Sequence, residues 1–153
     1  MSRRDQIRMT PEEFRKFLDE SRTIIVTSLG KDGAPHPVPM WFAIENDSAI
    51  VMTTYTKSQK IRNLERDPRV SLLVEDGETY SELRGVVLFG RAELLNDGDA
   101  VADILTAVSA KNDRRTAEVT RAQMLKNAEK RTGIRVRPEK FVSWDHRKLT
   151  GVY

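Results

Sequence analysis

The chain has 153 residues, enough for one domain with its own hydrophobic core and no covalent staples. It contains no cysteine, which excludes a disulfide framework, a thiolate metal site and thiol redox chemistry. A formal charge of +3, in a chain where 32% of residues are charged, admits a polyanionic small molecule, a nucleic acid or an anionic surface as partner without choosing among them.

The opening MSRRDQIRMT lacks the apolar stretch of a signal peptide, and no later run approaches the length of a membrane span. A cytoplasmic protein without a membrane partner is the expectation. Thr10-Pro11-Glu12-Glu13 is a helix start: Thr as N-cap, Pro at the first helical position, Glu where a capping box closes. Phe14, Phe17 and Leu18 then form one apolar stripe, as in a helix that plugs the end of a barrel.

Thr23 to Leu29 is a β-branched run, Gly30-Lys31-Asp32-Gly33 a turn, and the chain is extended again from Pro35, so a hairpin is expected. Glu45 to Ser48 turns the chain back into a strand that ends at Thr54. Antiparallel strands joined by tight turns predict a meander rather than a parallel sheet. No G-x-G-x-x-G follows a strand, which argues against a Rossmann dinucleotide site. Pro37 and Pro39 cannot donate to a sheet ladder and mark an edge strand.

The segment from His36 to Asp67 carries the chemistry. Val38, Pro39, Met40 and Trp41 form an apolar wall suited to a planar ring, although Trp41 fits a core position equally well. Thr53, Thr54, Tyr55, Thr56, Lys57, Ser58 and Lys60 lie where a strand exits into a short helix over 58–66. A helix N-terminus presents free N–H groups and partial positive charge, so a phosphate there would meet backbone donors, hydroxyls and ammonium groups together. Lys57 and Lys60 are three apart and share a face if the turn is helical. Two readings of Ser58 stand side by side, a plain helix cap and an anion ligand.

Asp67-Pro68 breaks the chain before a fourth strand over Val70 to Val74. A fifth follows from Arg84 to Leu95, where Gly85 and Gly90 mark bends that close a barrel. Asn96 to about Lys130 is a helical excursion with Val101, Ile104, Leu105 and Val108 on one face, expected to pack rather than act as a lid. Gly133 to Arg137 and Phe141 to Asp145 are the last extended pieces, separated at Pro138, and Val152 and Tyr153 are expected to dock on the barrel.

Three parts of the sequence now carry a family resemblance: P-V-P-M-W at 37–41, T-x-K-S-x-K-x-x-N-L with D-P-R-V-S-L after it, and the terminal W-D-x-R-K-L-T-G. About residues 20 to 153 resemble the pyridoxamine 5′-phosphate oxidase-like split β-barrel flavoproteins, most of all the actinobacterial branch that uses the deazaflavin coenzyme F420. The resemblance implies a mainly β chain with helices, folded as a six-stranded antiparallel split β-barrel of the FMN-binding type. It also implies a homodimer with a cofactor site at each subunit junction. In that arrangement the ring would rest on Val38 to Trp41 and the phosphodiester would meet Thr54 to Lys60. Tyr80 and Arg84 would approach the partner subunit and the cofactor, and Trp144, His146, Arg147 and Lys148 would bring the C-terminal segment to the ring and phosphate.

The activity so implied is hydride transfer between F420 and a small organic substrate, for which no catalytic triad is needed and none is found. Tyr55, Tyr80, His36 and His146 are the titratable candidates for a proton donor. FMN is the alternative cofactor, but its phosphate monoester favours an arginine fork, whereas this turn offers lysines and hydroxyls. A non-catalytic carrier of the coenzyme is a further alternative. Nucleic-acid binding is disfavoured, because aromatic residues make up 7% of the chain and sit mostly in apolar strands.

Overall fold

A computed structural model of the chain describes residues 2–112 and 118–149; the ends expected to dock, Val152 and Tyr153, lie outside them. Two short helices, α1 (Arg3–Gln6) and α2 (Pro11–Glu20), precede β1 (Thr23–Leu29), β2 (Pro35–Trp41), β3 (Ala43–Ile44) and β4 (Ile50–Tyr55). Then come α3 (Gln59–Arg66), β5 (Arg69–Asp76), β6 (Arg84–Leu95), α4 (Gly98–Asn112), α5 (Arg121–Ala128) and β7 (Arg131–Asp145). All pairings are antiparallel and the sheet order is β2-β1-β5-β6-β7-β4-β3.

That order explains why the sheet curls. β2 and β3 occupy its opposite edges, yet only Phe42 separates them in the chain. One residue cannot cross a flat seven-stranded sheet, so the edges are brought near each other and the sheet curls into a half-barrel. The strand count corrects the expectation of six: the extended run from Pro35 changes neighbours at Phe42 and becomes two strands, β2 on β1 and β3 on β4. Phe42 is fully buried, and its carbonyl accepts a hydrogen bond of 3.1 Å from Asn112 Nδ2 at the end of α4.

β2 shows the edge character that its prolines require. Pro35, Pro37 and Pro39 alternate along it, and with no second strand beside β2 among the described residues their missing N–H groups cost no ladder bonds. The two extended pieces expected around Pro138 are one strand. β6 runs beside β7 throughout, and a bulge at Glu139 absorbs the irregularity, since Gly90 faces Pro138 while Phe89 faces Lys140. Pro138 falls just past the end of β4 and so has a strand on one side only.

Alternation sorts the faces. Val38, Val26, Leu72 and Leu88 form one cross-strand row into the core, joined by Phe17 and Leu18 of α2, whose capping box is present. On the other face of the barrel, α4 covers β3 and β4 through Ile104 and Val108 against Ala43 and Val51. α5 packs on α4 through Met124 and Ala128, so the excursion is packed along both described helices. Among the described residues no helix covers the outer face of the remaining strands. Pro39, Ile25, Leu73, Val87 and Val142 run across it in register, with Pro37, Thr27, Ser71, Phe89 and Lys140 as the next row. Among the described residues no helix is long and apolar enough to cross a membrane.

Candidate functional site

The strongest constellation is the exit of β4. Tyr55 ends the strand, Thr56 to Ser58 turn, and Ser58 is the N-cap position of α3 with extended backbone. Its side chain makes no capping hydrogen bond, and its Oγ is buried without a partner among the described residues. A buried hydroxyl left unpaired costs about 1–3 kcal/mol, so the plain-cap reading of Ser58 does not describe this turn. The backbone donors at the start of α3 remain available for an anion.

Lys60, the second residue of the helix, folds back so that its Nζ donates to Thr54 Oγ1 at 3.0 Å. No carboxylate of the described residues pairs with it, and burial lowers its pKa from the ordinary lysine value. An ammonium held partly out of water without a counter-ion is electrostatically unfinished. Lys57 is exposed beside it. Thr56 hydrogen-bonds through its hydroxyl to Thr132 at 2.9 Å, and Thr132 donates onward to Asn96 Oδ1 at 2.9 Å. The Arg131 guanidinium lies 4.5 Å from the centre of the Tyr55 ring, which is 61% exposed.

α3 is held in place by a polar pin. Asn63, fully buried, donates from Nδ2 to Ser28 Oγ of β1 at 3.0 Å, while its Oδ1 accepts from Gln59 and Arg66. Arg66 also donates to the Leu29 carbonyl at 2.9 Å, tying the helix to the far end of β1. Thr53 sits mid-face on β4 opposite Gly133.

The apolar wall divides. Val38 and Met40 turn toward the core, whereas Pro39 and Trp41 face outward, with Trp41 50% exposed. His36 lies opposite Ser28, its Nδ1 buried without a partner among the described residues. The remaining candidates gather at the other end of the barrel. Arg84 pairs with Asp76 at 2.7 Å, and its guanidinium lies 4.8 Å from the centre of the Phe17 ring. Trp144 covers Gly85 so closely that a Cβ there would come within 2.3 Å of the indole. Lys148 donates to the Arg8 carbonyl at 2.8 Å and pairs with Glu13. The ring of Tyr80 lies 4.6 Å from that of His146, and the His146 Nδ1, 2.9 Å from the Tyr80 carbonyl oxygen, must carry the proton as donor. Arg147 donates twice to the buried Asp145, holding that carboxyl below the usual carboxylate range.

One chain therefore does not bring all these candidates together. Arg131, beside Tyr55, and Trp144 are separated by about 40 Å of strand β7 at about 3.3 Å per residue. Sequence reasoning found the turn and its lysines. It missed Arg131, Thr132 and Asn96, whose approach depends on the β4–β7 and β6–β7 registers, and it gave Asn63 no role.

Comparison with known proteins follows the same lines. No curated protein matches the chain. Among solved structures, the conserved hypothetical protein Rv2991 from Mycobacterium tuberculosis is 35% identical, over 100% of this chain and 96% of that one, with a TM-score of 0.85. A protein described as an F420 reductase is 26% identical, over 86% of this chain and 98% of its own, with a TM-score of 0.68. The heme storage protein HutZ from Vibrio cholerae, 17% identical over 90% of this chain and 96% of its own at a TM-score of 0.68, shares the fold alone. The signature described as pyridoxamine 5′-phosphate oxidase matches residues 10–145, and with a half-barrel of this topology and a relative 35% identical end to end, the chain belongs to the pyridoxamine 5′-phosphate oxidase-like split-barrel family.

Proposed function

We propose that this chain is an F420-dependent oxidoreductase acting on a small organic substrate. The observation that carries the reading is the unfinished turn at the exit of β4. A partnerless buried hydroxyl at Ser58 and a partly buried ammonium at Lys60 without a carboxylate meet at a helix N-terminus, as a phosphodiester requires. The similarity to an F420 reductase supports this cofactor. Within the turn the cations are lysines, and the guanidinium beside it, that of Arg131, lies over the Tyr55 ring.

When bound, the reduced deazaflavin supplies a hydride to an activated acceptor. The chain's own contribution is to bind and orient. Lys57, Lys60 and the α3 donors hold the anion, and Thr54 positions Lys60. Pro39 and Trp41 present an outward apolar surface on which a planar ring can lie, with Val38 and Met40 anchoring the strand from the core side. The test is titration with oxidised F420 and, in parallel, FMN, following cofactor fluorescence. Tight F420 binding with weaker FMN binding is the expected result. Preference for FMN would move the protein to the flavin branch, and binding of neither would remove the reading.

A homodimer belongs to this proposal. The outer face carries the contiguous apolar row Pro39, Ile25, Leu73, Val87 and Val142, with Phe89 and Val142 each 41% exposed, and a contiguous exposed apolar row of this kind suits an interface between protomers. A two-fold pairing through it would allow Tyr80, Arg84 and Trp144 of one protomer to approach the clamp of the other. Phe89→Asp is expected to give a monomer in sedimentation velocity, with weakened F420 binding. A monomeric parent protein would contradict the two-subunit site.

A further inference from the structure

Beneath α2 lies a cleft that the cofactor reading does not use. Its floor is formed by Leu18, Ile50 and Leu88, each nearly fully buried, and its volume is about 670 Å³. That lies within the range of small-molecule sites. It adjoins a second hollow of about 380 Å³ through two shared wall residues, Arg8 and Phe141. Phe141 stands at the common lip, 54% exposed, its ring 4.9 Å from that of Phe14. A phenylalanine so exposed on the rim of an apolar hollow has contact area to offer a ligand.

The walls are fixed at both ends rather than frayed. Before α2, the Met9 N–H donates to Ser143 Oγ at 3.2 Å and the Asp145 N–H to the Ile7 carbonyl at 2.7 Å. At the helix itself, Glu13 pairs with Lys148, and after it Lys111 donates to the Ser21 carbonyl. The middle of α2 therefore bridges the barrel mouth with space under it.

Charge sets the class of ligand. Among the described residues the walls of the cleft carry Arg8, Arg15 and Arg137 against one acid, Asp47. Arg137 is engaged by Asp47 and Glu93, and Arg15 by Asp19. Arg8 reaches Asp5 only at 3.9 Å, with both side chains more than half exposed. Such a pair contributes little, and it leaves the Arg8 guanidinium able to take a carboxylate through two parallel bonds.

We propose that this cleft is a separate binding site for a small amphipathic carboxylate, with its apolar body over Leu18, Ile50 and Leu88 and its head group on Arg8. It is distinct from the anion clamp, since Ile50 and Tyr55 stand at opposite ends of β4, about 17 Å apart along the strand. The site does not depend on the F420 reading.

The test uses the full chain with decanoate, below its micelle threshold, and with decanol as the neutral counterpart. Calorimetry is expected to show saturable decanoate binding at one site per chain, with decanol at least about tenfold weaker. Arg8→Ala should abolish that preference while leaving decanol affinity as it was. In methyl-labelled protein, decanoate should shift the Ile50, Leu18 and Leu88 signals and leave F420 affinity unchanged. Absence of saturable binding would overturn the proposal. So would equal affinity for acid and alcohol, a preference that survives Arg8→Ala, or methyl shifts confined to the outer face around Ile25, Leu73 and Val87.

Discussion

Replacing Phe42 by alanine is expected to lower the unfolding free energy by about 3–5 kcal/mol, the range for removing a buried aromatic side chain. The side chain is fully buried in the main core. It is also the single residue on which the two sheet edges meet, so the cavity left behind cannot be closed by sliding one edge without disturbing the other. Two further groups lean on it: Lys111 Nζ lies 4.1 Å from the ring centre, and Asn112 donates to its carbonyl. Burial pushes the Lys111 ammonium below its ordinary pKa, and losing the ring removes a favourable neighbour for that charge. Urea unfolding followed by circular dichroism would measure the loss, and Phe42→Leu, which keeps most of the volume, should cost much less. A loss below about 1 kcal/mol for Phe42→Ala would mean that the closure does not depend on this residue.

The second large effect concerns binding. Lys60→Met, with Lys57→Ala added, is expected to weaken F420 binding by about 10²- to 10⁴-fold, because each charge-assisted bond to a phosphate is worth about 1.5–3 kcal/mol. The same Lys60→Met change should leave the cofactor-free protein as stable or more stable. The sign follows from the direction of the pKa shift. Burial lowers the folded-state pKa of Lys60 below its unfolded value, so the protonated form is disfavoured by folding. That cost is present at neutral pH and is relieved as pH rises from the lowered folded value to the ordinary value of about 10.4. Parent and variant melts should therefore converge in the alkaline range. A Lys60→Met protein that binds F420 like the parent would dismiss the clamp. One that binds poorly because it is unfolded would show a lowered melting temperature instead, which keeps the two outcomes apart.

Much of the fold was legible because local rules and tertiary structure agree. The capping box at Thr10 opens α2, Arg84 to Leu95 is one strand, and the Lys-rich turn precedes α3. The prolines of β2 announced an edge, because a residue without an N–H can be recognised in isolation. Pairing is a different matter. That His36 to Ile44 is two strands on opposite edges cannot be read from alternation, which continues unbroken through Val38, Met40 and Phe42. Likewise Pro138 looked like a break, and only the continuous partner β6 makes β7 one strand.

For the candidate site the division is the same. By itself the sequence determined the chemical inventory: hydroxyls, two lysines three apart and a helix start, since these depend on neighbours within one turn. Tertiary structure decided which of them are unsatisfied. It buried the Ser58 hydroxyl, withdrew Lys60 from water, turned Val38 and Met40 inward, and set Arg131 over Tyr55 from a strand 76 residues along the chain. Burial and cross-strand register arise from contacts distant in sequence, so residue order fixes them only through the folded half-barrel.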